Sequence, residues 1–295
     1  MGSTLFCEKL VSRRLAVFPD FVLHQCGNAA IWVDRACVEQ QFIDRLTDAD
    51  CLFAEPHCQI IKDQRKIKVG RLTLPIAGRP RTLFVKRYNT FSLRYKLTSP
   101  FLQSGGFRAL RGAAILRAAQ IPTALPVAAV ENRRGGALIK SFFLSEEIAG
   151  GETVDAYWRG RLLGVKGPEG FALRRRFLAE LAQIFKTLHS EQIYHNDLKD
   201  ANVLAVADRR ENHLRLILLD LDGVVRMSHL SPRRKVKNLV QINRTLGRYL
   251  RQPEKLYFLK SYLNAGFAQR TLRRKLMDSV MRESRRVDRL KTRHD

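Results

Sequence analysis

The sequence is short of acid. Its 295 residues carry 28 Asp+Glu against 53 Lys+Arg, a formal net charge of +25. An excess of that size needs an anionic partner or surface, and nucleic acid, an acidic membrane face and a phosphate-rich substrate all gain from the same long-range attraction. Cysteine is also sparse. Cys7, Cys26, Cys37, Cys51 and Cys58 are odd in number and contain no C-x-x-C pair, which excludes a paired disulfide framework and fits reduced thiols in a cytosolic protein. His57 and Cys58 beside Cys51 stop short of the four ligands that structural zinc requires. Long apolar runs are missing too: none approaches the roughly 18 residues that would cross a bilayer, and no apolar stretch follows Met1-Gly2-Ser3-Thr4-Leu5 as in a secretory leader. Membrane association is therefore expected to be peripheral. No internal repeat or low-complexity linker divides the chain.

What is present is a globular composition, 45% hydrophobic and 27% charged, in a chain long enough for two lobes of ordinary size. Strand-like runs occur at Cys58–Lys62, Lys66–Leu74, Thr82–Tyr88, Pro126–Glu131 and Ala137–Glu146, with Ala77-Gly78-Arg79-Pro80 as a hairpin turn. Phe107–Ala119 reads as one helix, ended by Ile121-Pro122. After Ile148-Ala149-Gly150-Gly151 the pattern turns helical. Phe177, Leu178, Leu181, Ile184, Phe185 and Leu188 form the stripe of a long amphipathic helix ending near Ser190. Two short apolar runs, Val203–Val206 and Leu214–Leu219, then suggest a small hairpin, and from Arg233 the chain is helical again. The expected fold class is α+β: residues 1–57 as an N-terminal extension, 58–147 as an antiparallel sheet lobe with one main helix, and 148–295 as a helical lobe with a basic last helix.

Chemistry enters at Ile193-Tyr194-His195-Asn196-Asp197-Leu198-Lys199-Asp200-Ala201-Asn202, which satisfies H-x-D-x-x-x-x-N. The apolar strand Leu216–Leu219 then delivers Asp220-Leu221-Asp222-Gly223, where kinases carry a magnesium-binding Asp. Each Asp alone is more often a turn or cap residue; together they specify phosphoryl transfer, which needs an oriented acceptor hydroxyl and neutralised phosphate charge. Asp197 is the expected acid-base residue, Lys199 reaches the transferred group, Asn202 and Asp220 are the metal ligands, and His195 is a brace. In Leu83-Phe84-Val85-Lys86-Arg87-Tyr88, alternation turns Phe84 and Lys86 to one face, and Lys86 takes the place of the phosphate-holding strand lysine. Lys86, Phe84 and Glu147 are the expected nucleotide contacts, with ATP and Mg²⁺ as cofactors.

With its Phe-Val-Lys-Arg-Tyr strand, Asp-Leu-Lys-x-x-Asn loop and Asp-Leu-Asp-Gly strand end, the chain resembles the lipopolysaccharide kinase (Kdo/WaaP) family over roughly Cys58 to Leu250. The resemblance implies a protein-kinase-like two-lobed fold and ATP- and Mg²⁺-dependent phosphorylation of a Kdo or heptose hydroxyl in the inner core of lipopolysaccharide. It also implies an anionic glycolipid acceptor (lipid A-core), an anionic membrane surface as partner, and a cytoplasmic enzyme peripheral at the inner face of the bacterial inner membrane.

Departures from the wider kinase pattern sharpen this. No G-x-G-x-x-G loop precedes Lys86, no Glu lies between Lys86 and Glu131 to pair with it, and about a dozen residues separate Gly223 from the next helix. That is too little chain for a peptide platform, so a non-protein acceptor is favoured. Two alternatives stay open: an atypical (RIO-like) protein kinase and a non-catalytic basic binding module on the same fold. Nucleic acid ranks below a glycolipid, because no helix-turn-helix, finger or aromatic RNA-binding signature accompanies the charge. The tail Arg270–Asp295, with ten Lys/Arg and four Asp/Glu, carries Leu272, Leu276, Val280, Val287 and Leu290 near one face. It suits docking on the helical lobe or lying on an acidic bilayer.

Overall fold

Residues 18–90, 102–208 and 213–291 are described in a computed structural model of the chain. They form two compact units, one from residues up to Ala114 together with Ala124–Ile148, the other from Ile115–Thr123 and everything from Ala149 onward.

The first unit is built on a seven-stranded sheet, every neighbouring pair of which is antiparallel. Its strands are β1 (Phe21–Cys26), β2 (Ala29–Asp34), β3 (Gln59–Asp63), β4 (Ile67–Ile76), β5 (Arg79–Asn89), β6 (Pro126–Arg134) and β7 (Ala137–Glu146), in the order β1-β2-β6-β7-β5-β4-β3. Two-residue turns join β4 to β5 and β6 to β7. Ala77 and Gly78 have φ of 51° and 72°, Gly135 and Gly136 57° and 80°, the left-handed values that match the twist of paired strands. Period-two alternation sends Leu83 and Val85 to one face, where they join Ile31, Val33, Leu72, Leu74, Phe142 and Leu144 in a buried core.

That core is closed by helix α1 (Gln40–Thr47), through Phe42, Ile43 and Leu46. The sequence boundary at residue 58 therefore does not divide the sheet: residues 21–53, expected as an extension, supply two of its strands and a covering helix. Helix α2 (Gly105–Ala118) covers the opposite face, where Phe107 packs 5.1 Å from the Trp32 ring. A Cβ on Gly106 would lie 2.2 Å from the Phe142 carbonyl oxygen, so only glycine lets this helix backbone settle on β7.

The second unit is mainly helical. Helix α3 (Gly167–Ser190) buries Phe177, Leu178, Leu181, Ile184, Phe185 and Leu188, the stripe expected from sequence. Helices α4 (Pro232–Arg244), α5 (Gln252–Leu263) and α6 (Arg270–Lys291) follow. Among them lie β8 (Glu152–Thr153), β9 (Ile193–His195), β10 (Val203–Asp208), β11 (His213–Leu218) and β12 (Val224–Arg226). β10 pairs with β11, Val203 opposite Leu218, and β9 pairs with β12. The end of β11 is held further by Pro122, whose carbonyl accepts the Leu218 N–H at 2.9 Å, and by Thr123 Oγ1, which donates to Leu218 O at 2.8 Å. The turn residues expected at 209–212 lie outside the described residues.

Candidate active site

Residues 196–202 run between β9 and β10 with almost no regular structure, so their backbone groups must find partners elsewhere. His195 supplies the first. Its ring is buried, accepts the Asp197 N–H on Nδ1 at 3.2 Å and reaches the Leu219 carbonyl through Nε2 at 3.0 Å. Because a backbone N–H donates into Nδ1, the proton sits on Nε2 and is donated to Leu219. Burial is the largest influence on this imidazole and pulls its pKa below the ordinary value, against the opposing pull of Asp220, Asp197 and Asp222. One neutral ring thus ties the loop that presents Asp197 to the strand end that presents Asp220.

Asn202 supplies the second tie. Its Nδ2 donates to the Asp197 carbonyl at 2.7 Å and to Asp197 Oδ2 at 3.1 Å, while its own carbonyl accepts the Leu219 N–H at 2.9 Å. Lys199 Nζ lies 2.6 Å from Asp197 Oδ2. Asp197, Lys199 and Asn202 are therefore one cluster, with both members of the ion pair about 40% exposed at their side chains. Asp220 follows the residue bonded to Asn202 and takes φ 59°, ψ 56°, a left-handed conformation uncommon for a residue with a side chain and frequent at functional turns. Asn196 N donates to Gly223 O at 3.0 Å, closing the turn back onto the loop.

The donor set suits a hard cation. With its amide nitrogen directed at Asp197, Asn202 has its amide oxygen left for a metal, and Asp220 adds a carboxylate. Magnesium asks for no more protein than this, since it keeps waters and shares phosphate oxygens. Among the described residues no three His, Cys, Asp or Glu gather as an all-protein metal site.

In the first unit, Phe84 and Lys86 lie on the face of β5 opposite its buried Leu83 and Val85, as alternation predicts. Lys86 Nζ sits 4.9 Å from the centre of the Tyr88 ring. Glu147 makes a two-pronged ion pair with Arg71, Nε to Oε1 at 2.6 Å and Nη2 to Oε2 at 2.8 Å; the guanidinium bond holds the Glu147 carboxyl below the usual range. Glu131, the first Glu after Lys86 in the chain, is buried and turned to structure: its carboxylate accepts Ser104 N at 3.4 Å and Arg133 Nε at 3.3 Å, fixing the start of α2.

Sequence reasoning missed the side chains of α4 that reach the loop. Asn238 and Gln241 recur at i and i+3, followed at i+7 by the C-cap residue Thr245, polar positions on a helix that otherwise buries Leu239, Val240 and Ile242. Such a stripe reads equally as a solvated face, so the sequence alone does not single it out. The basic runs resolve differently. Arg174 is consumed by Leu162 O, Val165 O and an ion pair with Glu254 at 3.2 Å, and Arg175 lies over Tyr257 at 4.5 Å.

The chain belongs to the lipopolysaccharide kinase (Kdo/WaaP) family, whose model matches residues 77–292. Among solved structures, "WaaP in complex with acyl carrier protein" matches with a TM-score of 0.64 and 18% identity, over 84% of this chain and 97% of that one. A remoter similarity, TM-score 0.37 and 14% identity over 72% of this chain and 52% of the other, is to "Crystal structure of BubR1 kinase domain". A search of curated proteins returned no match. The family makes the protein a lipopolysaccharide kinase by class, a phosphotransferase on the WaaP-like fold.

Proposed function

We propose that the protein transfers the γ-phosphate of ATP to a Kdo or heptose hydroxyl of a lipid A-core acceptor. The observation that carries this reading is the clustering of Asp197, Lys199 and Asn202, joined through Leu219 to the turn that holds Asp220. The Asp197 carboxylate orients the acceptor hydroxyl and takes its proton; Lys199, already paired with that carboxylate, steadies the transferred phosphoryl group. Asn202 and Asp220 would hold magnesium, which when bound supplies positive charge between the phosphates. Lys86 steadies the phosphates. Phe84 and Glu147 contact the nucleotide, Glu147 through its main chain, since Arg71 occupies its carboxylate. The same reading takes the enzyme to the inner face of the bacterial inner membrane, in the cytoplasm, where an anionic lipid surface meets a chain of +25 formal charge. An acyl carrier protein is a further proposed partner, on the likeness to the WaaP complex.

Three variants test the roles, with nucleotide titration alongside phosphotransfer to a lipid A-core acceptor. Asp220→Ala should lose magnesium-dependent nucleotide binding and turnover together. Asp197→Ala should bind nucleotide as before while kcat falls roughly 10²–10⁴-fold, the usual cost of removing a positioned acid-base group. Lys86→Ala should fall between them. Full activity in Asp197→Ala would overturn the assignment.

A further inference from the structure

The loop that carries Asp197 is held from one side by His195 and Asn202. From the other it is held by one helix. Asn238 is fully buried, and its Nδ2 donates to the His195 carbonyl at 2.5 Å and to Gln241 Oε1 at 3.0 Å. Gln241 Nε2 donates to the Asn196 carbonyl at 2.6 Å, and its Oε1 accepts the Leu198 N–H at 3.1 Å. One turn on, Thr245 Oγ1 accepts the Asp200 N–H at 3.2 Å and donates to the Gln241 carbonyl at 3.0 Å.

The orientation of each amide follows from the backbone. Leu198 offers only an N–H, so Gln241 must face it with oxygen; the carbonyls of His195 and Asn196 offer only acceptors, so both amides must face them with nitrogen. Every polar atom of the Gln241 side chain is then committed. Its two ends grip the peptide groups immediately before and after Asp197, and Asn238 holds Gln241 in register. A side chain that fixed only the helix would not need to span the acid-base residue.

We infer that Gln241, supported by Asn238, is a positioning residue for phosphoryl transfer: it sets the path of the backbone on both sides of Asp197 and so the direction of the Asp197 carboxylate. The inference rests on the role proposed above for Asp197. A rigid helix holding a loop at two points is what keeps a catalytic carboxylate within the narrow geometry that transfer demands, and displacement by about 1 Å costs on the order of 10²-fold in rate.

The test measures kcat and both KM values, with thermal midpoint, for the full chain carrying Gln241→Leu, Gln241→Glu or Thr245→Val. Gln241→Leu should lower kcat about 10–100-fold while the KM for ATP stays within about twofold of the parent, because Lys86, Asn202 and Asp220 are untouched. Gln241→Glu keeps the acceptor for Leu198 and loses the donor for Asn196. Its kcat, taken as a ratio to the parent at each pH, should therefore rise as pH falls from 8 to 5.5 and the carboxyl regains its proton, whereas the Gln241→Leu ratio should stay flat. Should Gln241→Leu fail to fold, Gln241→Glu and Thr245→Val carry the test, the latter with a smaller drop in kcat. A kcat for Gln241→Leu within about twofold of the parent, or a flat ratio for Gln241→Glu, would overturn the inference. Asp197→Ala run in parallel separates the two failures: if it is active the acid-base assignment is wrong, and if it is inactive while the Gln241 variants are unimpaired only the positioning role is wrong.

Discussion

Histidine 195 shows how one side chain joins two motifs that are 23 residues apart in the chain. Kept neutral by burial, it bonds both the Asp197 N–H and the Leu219 carbonyl, and a second buried imidazole behaves alike. Burial lowers the His189 pKa to about 4, and its Nδ1 lies 2.8 Å from Tyr262 Oη. A histidine whose folded pKa is depressed contributes stability that is complete above its unfolded value of about 6.5 and is lost as pH falls below it. For His189 the loss reaches about 2 kcal/mol by pH 5, with His195 adding in the same direction. The thermal midpoint should therefore fall between pH 7 and pH 5, and His189→Gln should flatten that fall while lowering the midpoint at pH 7. Equal slopes for parent and variant would remove His189 as the cause.

At the scale of elements, alternation and helical spacing located β3 to β7 and the long helix α3 to within two or three residues at most ends, because each carries its own hydrophobic period. Strands β1 and β2 were not legible in that way. β2 is placed by pairing with β6, Ala29 opposite Asn132, a contact across about a hundred residues that no local pattern announces, and β1 is placed by pairing with β2. The last helix shows both sides of the question. Its Leu276, Val280 and Val287 are half-buried while Leu272 and Leu290 are exposed, and it is tied to α4 by Asn243 Nδ2 to Ser284 Oγ at 3.0 Å and Arg244 to Asp288 at 2.7 Å. Leu276, Met277, Val280 and Met281 also wall an apolar cavity of about 510 Å³ with Leu181, Leu239 and Phe258. Truncating the chain after Gln269 should therefore lower the thermal midpoint by more than about 4 °C, at roughly 2–4 °C per kcal/mol for a protein of this size. An unchanged midpoint with weakened vesicle binding would instead make the helix a surface element.

For the molecule as a whole, charge is the dominant fact. A formal +25 is not consumed internally: arginines such as Arg174 and Arg71 are paired, yet the ion pairs engage at most 28 acidic residues against 53 basic ones. Binding to vesicles containing anionic lipid should weaken steeply as salt rises, since exposed charges are screened beyond about 8 Å at physiological ionic strength. Equal affinity for neutral and anionic vesicles in a sedimentation assay would show that the surplus serves something other than a membrane. Among the described residues no helix is long and apolar enough to cross a bilayer.

The class of chemistry was readable in one dimension, and so was the order of the proposed site residues, Lys86 then Asp197, Asn202 and Asp220, because phosphoryl transfer demands those residue types at near-constant spacing on a strand, a loop and a strand end. Composition settled the sign and size of the field around them. How the loop is kept in shape was not readable. The partners of residues 195–200 come from Leu219, Gly223, Asn238, Gln241 and Thr245, and an Asn or Gln in a helix has no local mark that tells a solvent-facing amide from one spent on a distant carbonyl. Hydrogen-bond partnership is a property of positions in space, and only the packing of α4 beside β9 brings those positions together.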